Sequence, residues 1–346
     1  MNIPINRARL NQILAAAPTL AIGVVGDFTL DGYWYADMEQ AMLSRETPIY
    51  PRPVVRETYS LGGAANTAWN LADLGVGRVV GFSVIGNDWR GKILLDLLAS
   101  SHIETSGFFT QANRHTPFYG KVMLTAPGRH SQEDARLDFI NTQPIAAEIE
   151  SALINAIAAS LDTLDGLIIA DYQTIGVITD NVSLGLLRAA QQHSLTPIVV
   201  DSRERAAEFR QLILKPNDSE AARLFFPGRS LAGVSPAELE QAAIQHNQQW
   251  GQPIVITLGS SGCLVAVDGV CTAVPGVRVP APVDTVGAGD AFLAAFTTAY
   301  AGGASAVEAA CLANLAAAVT VTKIGVTGTA TPTEITAMFE RWQEQA

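Results

Sequence analysis

The sequence predicts an α/β fold, a doubly wound and mainly parallel sheet covered by helices on both faces. Three observations carry that expectation. Apolar β-branched runs bounded by Gly or Asp recur along the chain, stretches of helical period lie between them, and 48% hydrophobic against 16% charged residues over 346 positions supplies a large core.

Leu10, Ile13 and Leu14 form one face of a first helix, and the run 21–25 ending at Gly26 reads as the first strand. Residues 64–74 follow as a helix, 78–85 as a strand and 92–101 as a helix. The alternation resumes with strands at 166–170, 197–200 and 253–258, and with helices at 184–192, 237–249, 287–301 and 306–323. Asp268-Gly269 marks a two-residue hairpin turn that would set Ala266 opposite Cys271. The Ala-rich stretch 309–321 is shorter than the ~18 apolar residues a membrane span needs, so a buried helix is predicted. Residues 31–60 and 108–140 break the pattern. They hold five of the seven tyrosines, Tyr33, Tyr35, Tyr50, Tyr59 and Tyr119, and lack helical period. They are expected to meet as one small β-sheet, either a lid over the ligand site or an edge extension of the main sheet. No linker divides the chain, and a single domain over 1–346 is expected.

With 22 Lys plus Arg against 33 Asp plus Glu, the net charge of −11 speaks against nucleic acid and anionic membranes as partners. Cys263, Cys271 and Cys311 stand at neither disulfide-framework nor metal-ligand spacing, and no signal-peptide core follows Arg7 and Arg9. A reducing, cytoplasmic setting is the expectation.

The segment 283–292, VDTVGAGDAF, carries the chemistry. Gly287, Ala288 and Gly289 are small enough for successive backbone N–H groups to converge at a helix N-terminus, which makes an anion hole. Asp290 would repel a phosphate as a ligand. It suits a base that takes a proton from a hydroxyl attacking that phosphate, or else a helix cap.

Asp284–Asp290 resembles the carboxy-terminal signature of the ribokinase-like (PfkB) family of sugar and nucleoside kinases, and 61–68, LGGAANTA, resembles its Gly-Gly-x-x-x-Asn element. The segment 215–220, KPNDSE, is similar to the family's Asn-x-x-Glu motif, 257–262 to its nucleotide-side turn, and 325–332 to its closing loop. The resemblance implies a ribokinase-like sheet with a small β-sheet lid, and ATP-dependent phosphorylation of a sugar, sugar phosphate or nucleoside. Asp31, Gly62, Gly63 and Asn66 would hold the sugar, with a helix-start cap as the plain alternative for Asn66. Asn217 and Glu220 would act on Mg²⁺ through water, although Glu220 also suits a helix N-terminus. Thr257, Gly259, Gly262 and Asn314 would line the nucleotide, unless Asn314 is only a packing residue. Some members bind a monovalent cation near Asp284. A homodimer through the lid is a further expectation.

Within the family the chain is most similar to heptose 7-phosphate kinases, through 26–35, 45–48 and 136–139. It departs from them after Asp171-Tyr172, where Gln173-Thr174-Ile175-Gly176 replaces a Lys-containing turn. With only four lysines in the chain, a substrate phosphate would meet Lys121, backbone amides, or Arg45, Arg52, Arg114 or Arg136. Past the closing loop a short amphipathic helix through Ile335, Met338, Phe339 and Trp342 is expected, without a fused nucleotidyltransferase domain. Two other classes compete. A sensor without turnover would have no use for Asp290, and a dinucleotide oxidoreductase would need a Gly-x-Gly-x-x-Gly turn after the first strand, which 26–31 lacks.

Overall fold

The computed structural model describes residues 4–125, 132–229 and 231–345. The strands in chain order are β1 (Ala21–Gly26), β2 (Phe28–Asp37), β3 (Val54–Gly63), β4 (Arg78–Gly86), β5 (Ile103–Gln111), β6 (Phe118–Thr125), β7 (Gln132–Phe139), β8 (Gly166–Asp171), β9 (Ile198–Ser202), β10 (Ile213–Leu214), β11 (Ile254–Thr257), β12 (Gly262–Val267) and β13 (Val270–Pro275). Nine of them form the main sheet in the order β13-β12-β11-β10-β9-β8-β1-β4-β5. It is parallel from β11 to β5 and ends in the antiparallel β12–β13 hairpin, where Ala266 faces Cys271 as expected.

Alternate residues of the central strands serve two cores. Ile22 and Val24 of β1, Ile168 of β8 and Val199 of β9 pack with α1 (Arg7–Ala16), α2 (Ala64–Asp73), α8 (Ala288–Ala301), α9 (Ala306–Thr320) and α10 (Pro332–Gln345). Val25, Ile169 and Val200 point the other way, against α4 (Ala147–Ser160) and α5 (Asp180–Gln192). A third cluster joins α6 (Asp218–Phe225) and α7 (Pro236–Trp250) to β11 and β12. Helix α9 is buried almost all round, which explains its Ala-rich composition, and no described helix is long and apolar enough to cross a membrane. Ile335, Met338, Phe339 and Trp342 form the buried stripe of α10.

The two tyrosine-rich segments do meet. β3-β2-β6-β7 is a separate four-stranded sheet in which β2 pairs antiparallel with β3 and parallel with β6. Its limits differ from expectation. β2 starts at Phe28, and residues 108–111 belong to β5 on the edge of the main sheet. Residues 126–131 of the expected segment lie outside the described residues. Helix α4, which no sequence signal marked, starts at the uncapped Ala146. Helix α3 (Trp89–Ser100) starts three residues before the expected 92, because Asp88 caps it by accepting from the Gly91 amide at 2.9 Å.

Candidate active site

The carboxyl ends of β1, β8, β9, β10 and β11 open on a cleft of about 330 Å³, to whose lining the small sheet also contributes. This is where ligands bind in open α/β sheets, because the strand ends and following loops converge there. Thr29 and Asp31 enter it from β2, Tyr172 from the loop after β8, Asp201 from β9 and Lys215 from the end of β10. Val286, Gly287, Gly289 and Asp290 enter from the start of α8.

Asp290 is not a helix cap. The N-cap of α8 is Gly287, whose φ of 80° suits glycine, and no side chain caps the helix. The Asp290 carboxylate instead accepts from Asn66 Nδ2 at 2.8 Å, Thr67 Oγ1 at 3.4 Å and Tyr172 OH at 3.1 Å. Burial pushes its pKa up to about 6, the Asp201 charge adds to that rise, and the Asn66 and Tyr172 hydrogen bonds and Lys215 oppose it. A carboxyl with such a pKa is ionised at neutral pH yet basic enough to hold a proton in transit.

The anion hole differs in detail from the expected row of amides. Val286 N–H donates to Asp284 Oδ1 at 3.0 Å and Ala288 N–H to the Thr285 carbonyl at 3.3 Å. Asp284 also accepts from Gly325 N–H at 2.9 Å, so it ties the turn to the closing loop. Gly289 and Asp290 lie in the first turn of α8, where amides have no intrahelical acceptor, and Gly287 and Gly289 line the cleft. Asn66 also differs. It is fully buried, gives its amide hydrogens to Asp290, and its oxygen accepts from Asn70 at 3.2 Å, so it is neither a cap nor a cleft-lining sugar ligand.

Asn217 and Glu220 form a capping box on α6: Glu220 N–H donates to Asn217 Oδ1 at 2.8 Å and Asn217 N–H to Glu220 Oε2 at 2.9 Å. Both line the cleft, and burial followed by the Asp201 charge raises the pKa of Glu220. Among the described residues no three His, Cys, Asp or Glu side chains come together as a direct metal cage. One carboxylate with a spare oxygen beside an amide side chain fits Mg²⁺, which keeps most of its waters and takes phosphate oxygens. Thr257 bridges to Asn217 and lines the cleft, whereas Gly259 and Gly262 shape the following turn at φ of 56° and 96°. Asn314 is buried and donates to the carbonyls of Val274 at 3.3 Å and Pro275 at 3.2 Å, which is the packing alternative.

Asp31 accepts from Thr327 Oγ1 of the closing loop at 3.3 Å, and its pKa is raised by burial against the pull of Lys121 and Arg136. A Cβ at Gly62 would come within 2.6 Å of Asp31 Oδ1, so glycine is what lets β3 pass this carboxylate. Of the candidate cations, Arg52 is paired with Asp134 at 2.9 Å, Arg45 is exposed, and Arg114 is buried near Asp27. Lys121 and Arg136 are direct cross-strand partners on β6 and β7, two positions along from the row that aligns Asp31, Tyr119 and Asp138 and therefore on the same face of the small sheet.

Four further residues had been given no role by sequence. Asp27 is fully buried and collects the amides of Tyr172, Gln173 and Val177 at 3.0, 2.9 and 2.7 Å, which pins the loop after β8. Tyr172 OH lies 3.2 Å from Asp201 Oδ2, and Asp201 pairs with buried Lys215 at 3.0 Å. The only signal available was position, since each falls at or just past the carboxyl end of a strand.

The pattern described as pfkB family carbohydrate kinase matches residues 41–334. The chain belongs to the pfkB carbohydrate kinase family. Among proteins similar to this family member, the Bifunctional protein HldE of Trichlorobacter lovleyi is 32% identical over 339 residues, covering 96% of this chain and 65% of that protein. The chain thus spans about two-thirds of the length of the curated relatives it matches. A ribokinase from Arabidopsis thaliana complexed with ribose and ATP superposes with a TM-score of 0.69 at 19% identity over 93% of this chain and 99% of that one. Phosphofructokinase-2 from Escherichia coli in complex with potassium gives 0.69 at 19% identity over 94% and 99%. Both likenesses establish the ribokinase-like fold of this pfkB kinase.

Proposed function

We propose that this carbohydrate kinase transfers the γ-phosphate of ATP to a hydroxyl of a sugar that already carries a phosphate, a heptose 7-phosphate being the favoured acceptor. The single observation that carries the choice of a phosphorylated sugar is the Lys121–Arg136 pair. Two cations directly opposite each other on neighbouring strands destabilise a bare sheet. Among the described residues Lys121 Nζ has no ion-pair partner and meets Tyr33 OH at 3.4 Å, while Arg136 pairs with the exposed Asp138 at 2.7 Å and lies over the Tyr119 ring at 4.6 Å. A dianionic phosphate on the sugar would relieve that repulsion, and both side chains act on Asp31, where the sugar hydroxyls would be held.

In this reading Asp31 accepts hydrogen bonds from sugar hydroxyls, with Gly62 and Gly63 allowing close approach. Asp290, held by Asn66 and Tyr172, takes the proton of the acceptor hydroxyl as its oxygen attacks phosphorus. Amides at Gly287, Gly289 and Asp290, with the positive end of α8, stabilise the charge that develops on the transferred phosphoryl group. Asn217 and Glu220 would hold Mg²⁺ through water, and that ion would neutralise charge on the ATP phosphates. Thr257, Gly259 and Gly262 would border the nucleotide. A monovalent cation beside the Asp284 turn is part of the proposal, as are a lid role for the small sheet, a homodimer formed through it and a cytoplasmic setting. The dimer is supported by the exposed Val54, Val55, Leu137 and Ile140 on that sheet and its border, and the setting by three free cysteines.

A coupled assay of ATP consumption over sugars, sugar phosphates and nucleosides, with magnesium, tests the choice. Turnover with phosphorylated sugars, highest for a heptose 7-phosphate, is expected. Turnover confined to nucleosides or unphosphorylated sugars would overturn it.

A further inference from the structure

The loop after β8 presents a tyrosine whose hydroxyl lies between two carboxylates, 3.1 Å from Asp290 Oδ1 and 3.2 Å from Asp201 Oδ2. A phenol has one hydrogen, so it donates to one carboxylate at a time. Nothing about this placement is loose. The Tyr172 amide donates to buried Asp27 at 3.0 Å, its ring packs on the core beneath α2 and α8, and the Arg203 guanidinium covers the ring at 5.3 Å.

We propose that Tyr172 is a positioning residue for the catalytic carboxylate: its hydroxyl donates to Asp290 while that group is ionised, and swings its hydrogen to Asp201 once Asp290 has taken the proton of the acceptor hydroxyl. In the second state the Asp290 carboxyl donates back to the Tyr172 oxygen. No atom is gained or lost in the switch, because the hydroxyl only rotates and each partner keeps a hydrogen bond. The Asp201–Lys215 pair at 3.0 Å sets the balance. Lys215 draws negative charge away from Asp201, so the hydroxyl favours ionised Asp290 in the resting enzyme. The inference rests on Asp290 being the base.

The groups that face Asp290 are Asn66 and Thr67 from α2, Tyr172 from the loop after β8, Asp201 from β9 and Lys215 from the end of β10. Two of these give opposite expectations. Removing the hydroxyl in Tyr172→Phe takes a donor from ionised Asp290 and moves its titration up by about one pH unit. Removing the neighbouring charge in Asp201→Asn moves it down by a similar amount.

The test has two readouts. In the pH profile of kcat at saturating substrates, Tyr172→Phe should lower the ratio of turnover at pH 6 to that at pH 8 about fivefold, whereas Asp201→Asn should raise it nearly twofold. Titration of the Asp290 carboxyl carbon by NMR in the substrate-free proteins should show the same opposite displacements. That second readout needs no acceptor sugar, so it separates failure of the switch from failure of the substrate assignment. An unmoved Asp290 titration in Tyr172→Phe, or displacement of both variants in one direction, would overturn the proposal. A tyrosine that merely packs would lower turnover equally at both pH values.

Discussion

Replacing Asp290 by Asn should yield a protein that is more stable and nearly inactive. The magnitude follows from the site. Burial displaces the carboxyl from 3.8 to about 6, so the folded protein binds this proton more tightly than the unfolded chain does. Stability from this group is therefore greatest below the unfolded pKa and falls as pH rises through about 6, leaving a cost at neutral pH of up to about 3 kcal/mol. Asn carries no charge to bury. Its oxygen can still accept from Asn66, and its amide can donate to Tyr172, which then turns to Asp201. The partners stay satisfied, and a gain of roughly 1–3 kcal/mol is expected, or several degrees in Tm. Loss of a positioned base costs on the order of 10²–10⁴ in rate. Differential scanning calorimetry at pH 7.5, steady-state kinetics on the best acceptor, and calorimetric titration of ATP measure the three quantities. The expected set is a higher Tm, kcat down at least about a hundredfold and ATP affinity retained. Near-normal turnover, or a destabilised variant, would refute the reasoning, the second because it would make Asp290 a structural residue. In the wild-type enzyme the same carboxyl predicts an acid limb in kcat with half-maximal turnover near pH 6.

Three other substitutions divide the roles. Glu220→Gln keeps the capping box with Asn217, since Gln serves at that position, so the helix should survive while the Mg²⁺ concentration for half-maximal rate rises; an unchanged magnesium titration would reject Glu220. Asp31→Ala should weaken sugar binding at least about tenfold, at roughly 1.5–3 kcal/mol per charged hydrogen bond, and leave ATP binding near normal in calorimetry. Lys121→Met should raise KM for a sugar phosphate about tenfold or more without changing that for an unphosphorylated analogue, and equal effects on both would remove Lys121 from phosphate recognition.

Most of the fold was legible because alternation and Gly punctuation are local signals. The strand after Ala21 ends at Gly26, where a Cβ would lie 1.9 Å from the Ala170 carbonyl, and helix α7 opens on a Ser235–Glu238 capping box, so residue type and backbone agree at both places. The small sheet could be anticipated as strands but not delimited, since β5 and β6 have similar composition and only pairing separates them. In the site, the Gly-rich turn and Asp290 announced themselves by spacing. Tyr172, Asp201 and Lys215 did not, because a phenol or an ion pair acquires its role from what three distant strand ends bring together. Asn66 shows the converse. Its motif suggested a sugar ligand, yet its amide donates to Asp290 across 224 positions of sequence, and it is not among the residues that line the cleft.

On the proposed function, a chain of net charge −11 would take two phosphorylated ligands, and its distribution of charge says how. Lys215 lies in the cleft but is neutralised by Asp201, so it adds little free positive charge for ATP. On the main-sheet side the attraction would come instead from uncharged amides at the start of α8, with Arg203 at the border of the cleft. Lys121, which has no ion-pair partner among the described residues, and its cross-strand neighbour Arg136 belong to the small sheet. In the proposed complex, phosphate recognition would be split between the amides at the start of α8 and the cations of the small sheet, with Thr327 reaching Asp31 between them. A sugar phosphate spanning them would meet both cations, and an unphosphorylated sugar would leave the two cations repelling one another. On that proposal acceptor choice would act through binding, so it should appear in KM with Lys121→Met and not in the chemistry at Asp290.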